Sequence, residues 1–346
     1  MKAPKSNILF ITFPVDLGNK TLELNIQKIF NGDVDFISLN DKIKHKVLGI
    51  NITNTYCNRL LNALHLREII KSYSKTDCTI IFQGISPALF TLGAWQKANI
   101  IISLDWTRTL YAALLHKKFE KSIIFKIHQK LLLQCPKIIC LTDAVYSNLL
   151  KTYKVEKYQL FRCPMPFDID RFKFPFRNTP KVPRVLFIGA DYHRKGGDLL
   201  VEAWKKELKG IVELTIVTNW LPEHPDGLTF IKGIKYGSDI HRNLFLNHDI
   251  FILPTRYDAY PQVIGEAAAA GLAVITTKFA LGAREIIENG KNGYISDTQA
   301  SCIQLLLNLV NDIDKINAFK KASRNIMEEK YSGDVIRSEF FRVIDI

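Results

Sequence analysis

Short apolar runs recur along the chain, separated by longer stretches whose apolar and polar positions follow a helical spacing. In the first half the runs are Ile8–Phe13, Val34–Leu39, Cys78–Gln83, Asn99–Leu104 and Lys137–Leu141. In the second they are Arg184–Ile188, Glu213–Thr218, Leu228–Ile231, Ile250–Pro254, Ala273–Thr277 and Gly293–Ile295. Stretches such as Gly197–Lys206 and Gln262–Ala270 lie between them and predict helices. Short buried strands joined by crossover helices form a parallel, doubly wound sheet. The alternation occurs twice, so the expected class is α/β with two Rossmann-like domains. A proline-dense stretch, 163–183, holds Pro164, Pro166, Pro175, Pro180 and Pro183 and reads as the linker. The expected domains are 1–170 and 171–330, followed by Tyr331–Ile346 with aromatic residues at helical spacing.

Composition agrees with a globular chain of this size. Of 346 residues 47% are hydrophobic and 23% charged, enough apolar material for two cores. Met1–Asn7 is polar and lacks the pattern of a secretory signal, and no apolar run is long enough to span a membrane. The expectation is a cytoplasmic protein. The six cysteines have no zinc-ligand spacing and are expected to be reduced and mostly buried, and the eight histidines form no ligand pair. No metal site is expected.

Charge changes the picture more. Residues 1–173 hold 25 Lys/Arg against 13 Asp/Glu, whereas residues 174–346 hold 22 against 21. Almost all of the net +13 therefore sits in the first half. Such asymmetry points to an anionic partner there: a membrane surface, a phosphorylated acceptor or nucleic acid. No stacking-aromatic motif or nucleic-acid module supports the last.

Candidate chemistry concentrates in the second half. In Phe251–Ile275 a strand ends at Pro254, a loop follows, and a helix begins near Pro261 or Gln262. The start of that helix presents free N–H groups and a positive dipole to the crevice above the sheet, where an anionic diphosphate belongs. Asp258 lies in the loop, and Glu266 lies about one turn into the helix, where a carboxylate can accept hydrogen bonds from ribose hydroxyls. In Arg184–Asp198 a strand runs into Gly189, then the pair Arg194 and Lys195, then Gly196 and Gly197. Glycine permits close approach of backbone to a ligand. Arg194 can fork across phosphate oxygens while Lys195 adds a point charge.

These segments resemble the GT-B retaining glycosyltransferases, especially glycosyltransferase family 4 (glycosyl transferases group 1). The acidic signature of that family, two glutamates separated by seven residues, is matched by Arg256-Tyr257-Asp258-Ala259-Tyr260-Pro261 running on to Glu266. Asp258 stands where the family usually has glutamate, Pro261 where glycine is common, and Ala190 where many members carry arginine. The resemblance implies that Arg194 and Lys195 contact the diphosphate, and that Asp258 with Tyr260, Pro261, Gln262 and Val263 holds the donor sugar. It further implies that Glu266 holds the ribose and that the loop ending at Gly233 lines the base. Asp168-Ile169-Asp170-Arg171-Phe172 resembles the family's interdomain turn and Gly282–Glu285 its Pro-Glu-Ile/Val helix start, with Glu285 either capping or touching ligand. The implied architecture is two Rossmann-like domains facing a central cleft, with the C-terminal helix, about 331–346, packing back on the first. The implied activity is metal-independent sugar transfer with retention, using a nucleotide sugar as co-substrate and no cofactor.

The first domain is expected to recognise the acceptor, a glycan or lipid-linked hydroxyl in polysaccharide or lipopolysaccharide synthesis. Asp105 follows a strand and either orients that hydroxyl or caps the next helix; Gly18, after the first strand, lets a diphosphate approach. Tyr111–Lys137 mixes six lysines with apolar residues and is either an interfacial helix on an anionic leaflet or a packed helix with a solvated lysine face. The rival activities are a nucleotide-sugar epimerase of the same architecture and a non-catalytic nucleotide-sugar-binding protein.

Overall fold

A computed structural model describes residues 7–12, 17–39, 45–47, 50–52, 55–73, 77–91, 93–173, 175–220 and 225–345. The chain divides into two compact units, one of residues 1–166 with 336–346 and one of residues 167–335.

The first unit carries β1 (Ile8–Thr12), β2 (Asp35–Ser38), β3 (His45–Val47), β4 (Ile50–Ile52), β5 (Thr79–Gln83), β6 (Asn99–Leu104), β7 (Lys137–Cys140) and β8 (Leu160–Arg162). Six of these form one parallel sheet in the order β2-β1-β5-β6-β7-β8, while β3 and β4 pair as an antiparallel hairpin. Register aligns Leu9, Ile80 and Ile100 across neighbouring strands, all buried. The last helix, Gly333–Asp345, closes this core: Phe340 meets Phe30 at 5.3 Å and Phe10 at 6.2 Å. The Lys137 ammonium donates to the carbonyl of Val343 at 2.9 Å, a favourable position for a cation at a helix C-terminus.

The second unit carries β9 (Arg184–Ile188), β10 (Glu213–Val217), β11 (Thr229–Ile231), β12 (Ile250–Leu253), β13 (Ala273–Thr277) and β14 (Gly293–Ser296). All are parallel, in the order β11-β10-β9-β12-β13-β14. Register sets Leu214, Val185, Ile250 and Ala273 side by side, each fully buried or nearly so. The chain runs outward from β9 to β10 and β11, then returns to place β12 on the other side of β9. Sequence direction thus reverses between β9 and β12, and loops leaving their C-terminal ends flank the crevice where doubly wound sheets bind ligands.

The proline-rich linker contains one 3-10 turn, Asp170–Phe172, and is held by side chains instead of regular structure. Phe167 lies on the helix Gln262–Ala269 at Gly265, where an added Cβ would stand 2.2 Å from the ring. Phe172 packs edge-on against Phe245 at 5.4 Å. Arg177 and Lys320 converge on the buried carboxylate of Asp249, at 2.9 and 2.7 Å. Removing one partner of so buried a pair costs about 3–5 kcal/mol, since it leaves an uncompensated charge.

Two expected helices take another form. The stretch Tyr111–Lys137 is broken into helices Arg108–Leu114 and Ile123–Gln134, because His116 turns left-handed at φ 54° and Ser122 caps a new start. Glu285 ends a 3-10 turn, Leu281–Glu285, rather than opening a helix, and its carbonyl accepts from the Tyr331 hydroxyl at 2.7 Å.

Candidate functional site

The loop after β9 is built around one aspartate. Asp191 caps a single turn, Tyr192–Lys195, by accepting from the amide of Arg194 at 3.1 Å, and its other oxygen accepts from Arg194 Nε at 3.0 Å. The turn points Arg194 toward the loop after β12, where Nη1 donates to the carbonyl of Tyr257 at 3.0 Å and lies 3.5 Å from Asp258 Oδ2. The ammonium of Lys195 pairs with that same Asp258 oxygen. Arg194, Lys195 and Asp258 therefore form one cluster, and Asp258 is mostly buried in it, its side chain 14% exposed. Gly189, expected to admit a ligand, instead makes room for Lys195: a Cβ there would lie 2.8 Å from the Lys195 Cβ.

Further contacts join the two loops. The Arg194 carbonyl accepts from the amide of Arg256 at 2.9 Å and from the Thr255 hydroxyl at 3.2 Å. The Arg256 guanidinium forks onto both oxygens of Asp198 at 2.8 Å. Gly196, at φ 84°, lies against Pro254 so closely that an added Cβ would stand 2.1 Å from the carbonyl oxygen of Pro254. No side chain fits there. The far side of the same loop is tied to the segment after β13: Asp258 N donates to Phe279 O at 2.9 Å, and Leu281 N donates to Asp258 O at 3.0 Å. Asp258 is thereby clamped through its main chain, with its carboxylate aimed at the two cations.

The helix Gln262–Ala269 starts a few residues on. Pro261 is its N-cap and no side chain caps the first turn, so that turn has amides available to an anion. Tyr260, Pro261 and Gln262 are buried, and Val263 is half-buried. One turn on, Glu266 is also buried, and burial pushes its carboxyl up to about 8. Its Oε2 lies 3.8 Å from His241 Nε2, and Oε1 has no hydrogen-bond partner. Such an orphan oxygen in a native interior calls for a functional account. His241, Arg171 and Tyr236 complete this second cluster, which the sequence alone did not disclose. Gly233 follows β11 at φ 73° with open space where a Cβ would be.

Two expected site residues belong to the first unit. Gly18 lies in the helix Leu17–Ile29, the next described element along the chain after β1. Asp105 follows β6, half-buried, two residues before Thr107, whose hydroxyl accepts from Leu110 N at 3.3 Å and so caps the next helix. The capping role open to Asp105 is thus filled by Thr107. Asp168 accepts from the amide of Arg171 at 3.3 Å. Among the described residues no group of three or more His, Cys, Asp or Glu side chains is placed to hold a metal ion. Cys78, Cys135, Cys140, Cys163 and Cys302 are free and buried, and no described helix is long and apolar enough to cross a membrane.

The match to a known family falls on the same segments. Residues 182–312 match the family model of glycosyl transferases group 1. Over 195 residues the chain is 26% identical to the probable sucrose-phosphate synthase of Thermosipho melanesiensis, covering 52% of this chain and 44% of that protein. The chain spans less than half the length of the curated relatives it matches. Among solved structures, a glycosyltransferase from Rickettsia africae superposes with a TM-score of 0.71 at 20% identity, covering 99% of both chains. HepE of Anabaena, solved with UDP and glucose, superposes with a TM-score of 0.72 at 14% identity, covering 99% of this chain and 100% of its own. The chain has the GT-B architecture, and its residues 182–312 carry the match to glycosyl transferases group 1.

Proposed function

We propose that the protein transfers a sugar, with retention, from a nucleotide-diphosphate sugar to a hydroxyl of a glycan or lipid-linked acceptor. The observation that supports this reading is that Arg194 and Lys195 both reach Asp258, in the loop that leads from β12 into the uncapped start of the helix Gln262–Ala269. The carboxylate of Asp258 pairs with both cations. A diphosphate offers oxygens of the same charge and takes them over, leaving Asp258 to face the donor sugar.

In this reading Arg194, Lys195 and the first helical amides stabilise the charge that develops on the departing diphosphate. They are already oriented, so little reorganisation is needed at the moment of reaction, and the assignment requires no metal ion. Tyr260, Pro261, Gln262 and Val263 line the donor sugar, Glu266 takes the ribose, and Gly233 leaves space for the base. Asp105, whose place as helix cap is taken by Thr107, orients the acceptor hydroxyl or removes its proton. The acceptor belongs to surface polysaccharide or lipopolysaccharide synthesis, and the basic first unit rests on an anionic membrane. The membrane assignment draws support from the helix Ile123–Gln134, which exposes Ile123, Ile124, Ile127 and Leu133 beside Lys126 and Lys130.

The test is a panel of nucleotide sugars incubated with and without lipid-linked and glycan acceptors, with products read by mass spectrometry. The expected result is a glycosylated acceptor together with free nucleoside diphosphate. A nucleotide sugar epimerised without acceptor, or nucleotide-sugar binding with no turnover across acceptors, would overturn the assignment in favour of an epimerase or a binding protein.

A further inference from the structure

Glu266 is held by neighbours that the transfer reaction does not account for. Its Oε2 faces His241 Nε2 at 3.8 Å, beyond hydrogen-bond range, while Oε1 is buried without a partner. His241 itself has a fixed proton arrangement. Its Nδ1 lies 3.2 Å from Arg171 Nη2, and a guanidinium can only donate, so Nδ1 accepts and the ring proton sits on Nε2, toward Glu266. Burial, aided by the Arg171 charge, pushes the imidazole down to about 4, so it stays neutral across the physiological range.

Arg171 is fixed in turn. Nη2 also donates to the carbonyl of Ser238 at 3.0 Å, and the guanidinium lies over the rings of Phe172 and Tyr236 at 5.2 and 5.5 Å. The His241 ring is wedged edge-on between Tyr236 and Phe245, each at 5.2 Å. Neither ring can rotate without losing several contacts. Arg171 comes from the linker, His241 from the helix Asp239–Leu246 and Glu266 from the helix Gln262–Ala269, so three separate elements meet at one carboxyl.

We propose that His241, held by Arg171, is a positioning residue: it directs its Nε2–H dipole at Glu266 so that the carboxylate is set and charge-compensated when ribose hydroxyls bind it. This rests on the assignment of Glu266 to the donor ribose. A diol donating two hydrogen bonds favours the ionised carboxylate, and the ionised form is the one that burial disfavours and Arg171 and His241 support. The other titratable group facing it, Asp168, acts in the opposite sense, while the Tyr236 phenol remains neutral.

The experiment titrates the intact protein with UDP, ADP and GDP, and in parallel with inorganic pyrophosphate, which engages the cations but has no ribose. His241→Ala is expected to weaken the preferred nucleoside diphosphate about tenfold or more while leaving pyrophosphate affinity unchanged, and His241→Gln, whose amide can donate from nearly the same place, is expected to recover most of the loss. The pH at which wild-type nucleotide affinity rises should move upward in His241→Ala and return in His241→Gln, a change that loss of packing alone does not produce. Should His241→Ala fail to fold, His241→Phe, which keeps a ring without the N–H, and Arg171→Lys supply the loss against which His241→Gln is compared. Unchanged nucleotide affinity in the His241 variants alongside a loss in Glu266→Gln would overturn the positioning role and leave the donor site intact. Unchanged affinity in Glu266→Gln as well would overturn the ribose assignment itself.

Discussion

Replacing Gly196 by alanine tests the packing of the two cation-bearing loops most sharply. Two costs add. At φ 84° a residue with a Cβ is strained by about 1–2 kcal/mol. The added carbon would also lie 2.1 Å from the carbonyl oxygen of Pro254, a backbone atom that cannot swing aside, so one loop must move by about 1 Å; forced shifts of this kind cost about 1–3 kcal/mol. The sum is about 2–5 kcal/mol, or roughly 5–15 °C in melting temperature for a unit of this size. Gly210 is the matched control: its φ is 83°, but nothing lies within 4 Å of the position of a Cβ. Gly210→Ala should show only the first cost. The assay is paired differential scanning calorimetry, followed by nucleoside diphosphate titration. Gly196→Ala is expected to melt well below Gly210→Ala and to lose nucleotide affinity, because the loop that carries Arg194 and Lys195 is displaced from the loop after β12. Melting temperatures equal within about a degree, with equal nucleotide affinity, would refute the close packing of Gly196 on Pro254.

Other consequences follow from the same contacts. Asp258→Asn removes the carboxylate that holds Arg194 and Lys195, so pyrophosphate should bind severalfold tighter by calorimetry while sugar transfer slows by at least tenfold; weaker pyrophosphate binding would contradict the exchange of one anion for another. Glu266 has a carboxyl raised by burial to about 8, so the folded state holds a proton that the unfolded chain releases near 4.5. Its contribution is favourable at low pH and is lost as pH rises through that window, at up to about 1.4 kcal/mol for each step of one in pH. Glu266→Gln should therefore gain in melting temperature relative to the wild type between pH 5 and pH 9, and a constant difference across that range would count against it. Ile123→Asp combined with Ile127→Asp should reduce sedimentation with phosphatidylserine vesicles severalfold without altering the melt; undiminished sedimentation would place the membrane face elsewhere.

The strands were legible because parallel strands are buried on both faces and read as unbroken apolar runs: Ile250–Leu253 and Ala273–Thr277 are buried at every position. The strands β3, β4 and β8 escaped because each is three residues long and carries polar positions such as His45, Asn51 and Arg162. The break in Tyr111–Lys137 escaped because Tyr111, Leu115 and Phe119 keep apolar positions at helical spacing across it, whereas the left-handed His116 and the capping role of Ser122 show only in the structure. At the site, residue types announced the cations and the acids, but not their pairing. That Asp258 would take up both Arg194 and Lys195 depends on β9 and β12 being neighbours, which sheet order decides. Arg256 and Asp198, 58 residues apart, and Arg171 and His241, 70 apart, meet for the same kind of reason. The glycine pair at 196 and 197 was visible, whereas its cause, the backbone of Pro254 and the ring of Tyr192, was not.

The central claim is that the β9 and β12 loops together bind a nucleoside diphosphate. Calorimetric titration of the intact protein with UDP, ADP and GDP, repeated on an Arg194→Ala/Lys195→Ala variant, tests it most directly. Charge-assisted hydrogen bonds are worth about 1.5–3 kcal/mol each, so at least one nucleotide should bind saturably and the double variant, still folded though melting lower with Asp258 unpaired, should bind it at least about a hundredfold more weakly. Undiminished affinity in that variant, or no binding of any of the three to the wild type, would contradict the claim.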